Sequence, residues 1–182
     1  MNTAKGQTTL DFTIGISVFL VVLIFVFTFI PGLLTPFTTT NEQAPALSDR
    51  LADKLSQGML GDPAEPYVLN TTGSNCAVEF FDLGSSPPTD CRYDGDELYE
   101  RLNVKERTNV NVTLEGDVSG GSGSTLLCWN DGSDELAELG SSDCDIDLVA
   151  GDSPPADNDA TVTARRVVYM DGEDVTMKVV VW

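Results

Sequence analysis

The sequence predicts an α+β protein: a long N-terminal transmembrane helix followed by a small β-rich extracellular head domain with one or two short helices. Three observations carry that prediction. Residues 12–30 read FTIGISVFLVVLIFVFTFI, an apolar run whose polar members are Thr13, Ser17 and Thr28. Residues 49–182 hold 27 acidic and 9 basic side chains, a net of 9 − 27 = −18. Beyond Pro66, short runs rich in Val, Thr and aromatic residues alternate with Gly, Pro, Asn and Asp, the pattern of strands and turns. The length, 182 residues, suits one domain of about 100–150 residues plus the apolar segment.

No charge interrupts the chain between Asp11 and Glu42. As a helix, residues 12–30 span about 28 Å, close to the ~30 Å hydrocarbon thickness of a bilayer. The core helix of so small a domain is seldom apolar on every face, so the run reads as membrane-spanning rather than buried. Pro31-Gly32 and Pro36 remove helical hydrogen bonds, and the helix is expected to end or kink there. Residues 7–36 are therefore assigned to the helix, 37–45 to a linker and 46–182 to the head. Lys5 and the initiator amine precede the run, with Asp11 as the sole acid. Positive charge near a first membrane helix stays in the cytoplasm, which predicts a single-pass protein of the cell membrane with its N-terminus inside and its head outside.

In the head, residues 46–60, ALSDRLADKLSQGML, place Leu47, Leu51, Leu55 and Met59 on one stripe at four-residue spacing, with Ser48 as N-cap and Gly61 as stop. The stripe reads as the face that covers a sheet rather than a partner site. Residues 67–69, 77–81, 109–115 and 125–129 are strand candidates, and 96–103 a short helix. The clearest strands are 160–170 and 175–182, flanking Asp171-Gly172-Glu173-Asp174 as a β-hairpin whose last strand is integral to the sheet. Residues 119–124, SGGSGS, and 151–159, with Pro154-Pro155, read as loops. The glycine-rich run lacks the GKS or GKT of a phosphate loop and leads into a strand.

The balance of 29 acidic against 10 basic residues excludes a phosphate-backbone binder, so nucleic acid is not an expected partner. The absence of histidine removes Ser-His-Asp and Cys-His catalysis and most zinc sites. No serine, cysteine or carboxylate has an identifiable base or orienting partner, so no catalytic residue, cofactor or metal is expected and the chain is not read as an enzyme. A carboxylate pair of the glycosidase kind is the residual catalytic option. Asp143-x-Asp145-x-Asp147 and residues 130–135 offer oxygen ligands, but position six counted from Asp143 is Leu148 and position twelve is Pro154, which departs from a calcium loop. Acids spread over nearly every loop, with only 4 lysines in the chain, read instead as a surface adapted to high salt, which screens self-repulsion.

Two features fit an exported domain. Asn70-Thr71-Thr72 and Asn111-Val112-Thr113 are glycosylation acceptor patterns, making Asn70 and Asn111 candidate glycan sites. Cys76/Cys91 and Cys128/Cys144 form two pairs with 14 and 15 intervening residues. Without CxxC spacing or histidine they make a poor zinc site, and disulfides between sequence neighbours are expected. Each such loop contributes about 3 kcal/mol in the chain-entropy model.

The segment ahead of the apolar run is Lys5-Gly6-Gln7-Thr8-Thr9-Leu10-Asp11-Phe12. A secretory signal has an apolar core of about 7–15 residues with a small-x-small site soon after it. This core is longer, and Ala44-Pro45-Ala46 lies well beyond it with proline in the middle. Over residues 5–34 the chain resembles the type IV pilin superfamily, in particular the pilin-like proteins of halophilic archaea; beyond that, the general layout of helix and β-rich head matches. The resemblance implies cleavage by a prepilin peptidase between Gly6 and Gln7, with Lys5, Gly6 and Gln7 as processing residues and 1–6 as the leader. Asp11 then becomes the fifth mature residue, where many members carry glutamate; aspartate departs from the pattern but keeps the charge.

From the residues alone Asp11 has two readings. It sits at the headgroup interface near a helix N-terminus, where the macrodipole favours negative charge, or it pairs with the new amine of a neighbouring subunit and sets register. The resemblance favours the pairing. Gly15 and Ser17 are small enough for close helix approach, although no GxxxG is present. The function implied is a structural subunit of a surface filament or pseudopilus, with membrane lipid, the prepilin peptidase and other pilin-like subunits as partners. The alternative is an uncleaved, membrane-anchored adhesive or sensory ectodomain.

Overall fold

A computed structural model describes residues 7–38, 43–61, 63–118, 120, 123–156 and 161–182. The chain divides into two compact units, Met1–Glu42 and Gln43–Trp182. In the first, one helix, α1 (Gln7–Thr38), holds every described residue. Helical backbone continues through Pro31, Gly32 and Pro36 and runs two residues beyond the expected 7–36. Each proline deletes one N–H donor, and the hydrogen bonds on either side hold the remaining turns.

The second unit is α+β. It opens on α2 (Gln43–Lys54), which passes without a break into a π-helical turn over Leu55–Met59. Pro45 is tolerated in the first turn, where its missing N–H has no helical acceptor to lose, so the helix starts upstream of Ser48. Ser48 is consequently no N-cap: it is 1% exposed inside the helix and its Oγ donates to the Pro45 carbonyl at 3.0 Å. The π turn, closed by Leu60 N–H to Leu55 O at 3.2 Å, rotates the last part of the stripe so that Leu55, Met59 and Leu60 are all buried. Leu51 joins them and Leu47 packs at the edge of the core, so the stripe covers the sheet as expected. Each such side chain contributes about 1.5–3 kcal/mol of burial.

The sheet contains β1 (Val110–Gly116), β2 (Thr125–Asn130), β3 (Glu135–Glu138), β4 (Ile146–Asp147), β5 (Val149–Ala150), β6 (Val162–Met170) and β7 (Glu173–Val181). Its spatial order is β3-β2-β1-β7-β6, all antiparallel, with β4 on β2 and β5 on β1. The hairpin is tighter than expected: Met170 pairs with Glu173, so the turn is Asp171-Gly172 alone, both at positive φ (52° and 88°). That is the turn whose twist matches two antiparallel strands, and it needs residues such as Asp and Gly that accept left-handed backbone. β7, the last strand, lies inside the sheet between β1 and β6.

Residues 146–150 form a wedge that sequence periodicity missed. β1 and β2 pair directly only at Glu115↔Leu126 and Gly116↔Thr125. Below that point Leu148 stands between them, donating its N–H to Leu127 O and accepting from Leu114 N–H, both at 3.0 Å. β3 was missed as well, because Glu135-Leu136-Ala137-Glu138 carries only four residues and few strand formers.

Residues 77–81 are not a strand. Asn75 turns the chain in left-handed conformation (φ 48°) into α3 (Cys76–Glu79), and Phe80 and Phe81 follow it into the core. Ala77, Val78, Phe80 and Phe81 are buried around a half-buried Glu79, and a run this short has too little periodicity to separate helix from strand. The 67–69 segment makes single bridges, Gly61↔Leu69 and Val68↔Tyr169, rather than a full strand. α4 (Leu98–Leu102) forms as expected, with a Glu97/Glu100 capping box and Asn103 ending it at φ 55°.

Candidate functional site

Two regions carry the residues with functional potential: the start of α1, and the loops of the head. On α1, Gln7 is the first helical residue, while Lys5 and Gly6 lie outside the described residues. Asp11 is exposed on the helix surface, immediately before the apolar stretch. Within that stretch Phe12 is 69%, Phe19 60%, Phe25 60% and Phe27 68% exposed, so apolar side chains are exposed around the whole circumference. The window Asp11–Thr28 is long and apolar enough to cross a membrane by length and composition. Two of its hydroxyls are satisfied within the helix. Ser17 Oγ donates to Thr13 O and Thr28 Oγ1 to Ile24 O, each at 2.7 Å, so neither needs water. The position of Gly15 is open, with nothing within 4 Å of an added Cβ.

In the head, the cysteines join as sequence neighbours, Cys76–Cys91 with Cα atoms 5.4 Å apart and Cys128–Cys144 with Cα atoms 5.7 Å apart. The first ties α3 to the loop that follows it, and the second ties β2 to the approach of β4. The two acceptor asparagines have opposite fates. Asn70 is exposed, its Oδ1 accepting from Thr72 N–H at 3.0 Å and Thr72 Oγ1 at 3.1 Å. Asn111 is 4% exposed on β1, and its Nδ2 donates to the carbonyls of Ala150 and Gly151, both at 3.4 Å. A glycan is attached through that same nitrogen, so the folded head excludes Asn111 as an acceptor. The sequon pattern is read from three residues, whereas burial here comes from β5, which pairs with β1 from far along the chain.

The acidic motifs fold onto backbone rather than toward a shared centre. Asn130 Oδ1 accepts from Gly132 and Ser133 N–H at 2.7 and 3.0 Å, and Asp145 Oδ2 from Asp131 N–H at 2.9 Å. Among the described residues no group of three or more His, Cys, Asp or Glu side chains is placed to hold a metal ion. Burial, then the negative charges of Asp145, Asp134 and Asp82, raise the Asp131 carboxyl above the usual aspartate range. Burial and the neighbouring Asp82 and Asp131 do the same for Glu79. Beside them a cleft of about 690 Å³ is lined by Asp82, Glu97, Glu106, Asp145, Asp147 and Asp152 over a floor that includes Leu98 and Val149.

One residue that sequence reading passed over organises this end of the head. Arg101, 2% exposed on α4, donates through Nε to Gly95 O (2.9 Å), through Nη1 to Glu79 O (2.6 Å), and through Nη2 to Asp82 O (3.0 Å) and Ser85 O (2.6 Å). Its guanidinium lies 5.6 Å from the centre of the Tyr93 ring. Tyr93 in turn donates its hydroxyl to Cys76 O at 2.6 Å, and burial raises that phenol well above its usual range. A lone arginine in a short helix carries no sequence signal for such a role; its acceptors are backbone carbonyls, which no side-chain pattern reveals.

No curated protein and no solved structure matches this chain. A family model matches residues 3–182, from ahead of α1 through the whole head, and its description is "Family of unknown function (DUF7287)". The chain belongs to that family, DUF7287, and the match covers both α1 and the head.

Proposed function

We propose that the chain is a pilin-like or pseudopilin-like structural subunit, processed between Gly6 and Gln7 and assembled through α1 into a surface filament or pseudopilus. The observation that carries this reading is the order of parts: Lys5-Gly6-Gln7, then Asp11, then a continuous apolar helix. In this reading α1 spans the membrane, with the head outside the cell, until assembly transfers the helix to a bundle of like helices. Asp11 is then the lone side-chain charge near that helix, and a neighbour's Gln7 amine is its partner. The acidic head surface is suited to high salt, as in halophilic archaea, and Asn70 is the position open to a glycan.

The test is the intact mass and N-terminal sequence of the protein recovered from native membranes. A start at Gln7 supports prepilin-type processing. An unprocessed N-terminus overturns it and leaves an anchored ectodomain whose function lies in what the head binds. Asp11→Ala separates processing from register: the expected variant is cleaved normally but absent from the filament fraction sheared from cells.

A further inference from the structure

The turn of the β6–β7 hairpin lies beside the exposed acceptor pattern at Asn70, and the two enclose a groove of about 470 Å³ lined by Glu65, Val68, Asn70, Thr72, Tyr169 and Asp171. Val68 forms a parallel bridge with Tyr169 on β6, held by Leu69 N–H to Tyr169 O at 2.8 Å and Tyr169 N–H to Tyr67 O at 2.7 Å. Leu69 turns inward, 3% exposed, while Val68 and Asn70 on either side of it are exposed, the alternation of extended chain. Tyr169 is 46% and Val68 37% exposed, so an aromatic ring and a valine stand open to water in the groove wall. Thr72 donates to Asn70 Oδ1 twice, through its N–H and its Oγ1, which turns the carbonyl half of that amide toward Thr72. Asn70 Nδ2 is left without a hydrogen bond among the described residues. Across the groove, Asp171 accepts from Leu136 N–H through Oδ2 at 3.1 Å, and its other oxygen faces no donor among the described residues.

We propose that this groove seats the first sugar rings of a saccharide carried on Asn70 Nδ2, with a pyranose face packed on the Tyr169 ring. The inference rests on the reading of Asn70 as a glycan acceptor given above. Three features select this occupant. The attachment atom belongs to a side chain in the groove wall, so the linkage holds the sugar there at high effective concentration, and a contact too weak to retain a free sugar suffices. The C–H face of a pyranose matches an exposed aromatic ring with a valine beside it, through dispersion and the removal of apolar surface from water. The carboxylates of Glu65 and Asp171 are acceptor-only groups, which suit the hydroxyl donors of a sugar and repel an anionic ligand. The seated saccharide covers the place where residues 67–69 join β6, the edge strand, and so clamps that segment to the sheet.

The experiment uses the full chain recovered from native membranes and reads tyrosine nitration by tetranitromethane, peptide by peptide, in mass spectrometry. Two variants supply the form without saccharide: Asn70→Gln, and Thr72→Ala, which breaks the acceptor pattern but keeps Asn70 and its bond from Thr72 N–H. Tyr169 should be nitrated about threefold or more faster in both variants than in the glycosylated parent, because a covered ring reacts only through its uncovered fraction. Tyr99, on α4 in a different cleft, should react alike in all three. The denaturation midpoint gives a second reading: loss of the saccharide should lower it in the parent and leave it unchanged in a Tyr169→Ala background. Equal nitration of Tyr169 with and without saccharide, or the same midpoint change with and without the ring, overturns the proposal and leaves Asn70 as an acceptor. A native protein whose Asn70 peptide carries no saccharide overturns the acceptor reading and this one with it. Faster nitration of Tyr169 and Tyr99 alike reports a loosened fold and overturns the assignment of the protection to the saccharide.

Discussion

Replacing Arg101 with leucine exposes what the buried guanidinium does. Four backbone carbonyls lose a donor. Asp82 and Ser85 are exposed, so water reaches their carbonyls; Glu79 and Gly95 are half-buried, and each of their carbonyls costs about 1–3 kcal/mol without a partner. Loss of the cation over the Tyr93 ring adds about 0.5–2 kcal/mol. Leucine is spared the desolvation of a charge, which offsets part of this, and a net loss of about 3 kcal/mol is expected. With a urea dependence of about 2 kcal/mol per molar, the unfolding midpoint of the full chain in detergent micelles should drop by about 1.5 M. Arg101→Lys keeps the charge but presents its donors from one point, so it should fall between parent and leucine. A leucine variant within about 1 kcal/mol of the parent, or a lysine variant equal to the parent, would refute the view that the forked geometry holds this end of the head together.

Further outcomes follow from the same structure. Cys76→Ser with Cys91→Ser should lower stability by about 3 kcal/mol, read as a shifted denaturation midpoint against the oxidised parent. Deleting residues 175–182 removes the strand between β1 and β6, and the truncated chain should lose protease resistance and its strand circular dichroism. Glu79 and Asp131 both have folded-state pKa values raised above those of the unfolded chain. Their contribution is therefore fully present at pH below the unfolded values and is lost as pH rises through the folded ones, so at neutral pH they destabilise. Glu79→Gln with Asp131→Asn should raise the denaturation midpoint at pH 7 and flatten its dependence between pH 4 and 7; an unchanged slope would contradict the assignment. Mass spectrometry of the native protein should find any glycan on Asn70 and none on Asn111, because only the former amide is exposed.

Signals that act within a few residues were legible in advance. The apolar helix follows from composition, since residues 12–30 lack a charge in any register. The hairpin follows from Asp171-Gly172, whose backbone preference selects the turn and with it the register of β6 on β7. The cysteine pairing follows from short loops. The errors came where a local signal was balanced or absent: residues 77–81, where a short apolar run around Glu79 fits helix or strand alike, and residues 135–138, where four residues carry few strand formers.

What the sequence by itself determined is therefore the division into apolar helix and acidic β-rich head, the stripe of α2 that covers the sheet, the turn chemistry and the cysteine partners. Only the tertiary structure decided that Asn111 is sealed beneath the chain at Ala150 and Gly151, that Leu148 splits β1 from β2, that Arg101 gathers four carbonyls, and that Asn70 shares a groove with Tyr169. The reason is one of range. Periodicity and turn preference are properties of neighbours in sequence, whereas the burial of an amide and the convergence of side chains depend on which distant segment the sheet order lays beside them.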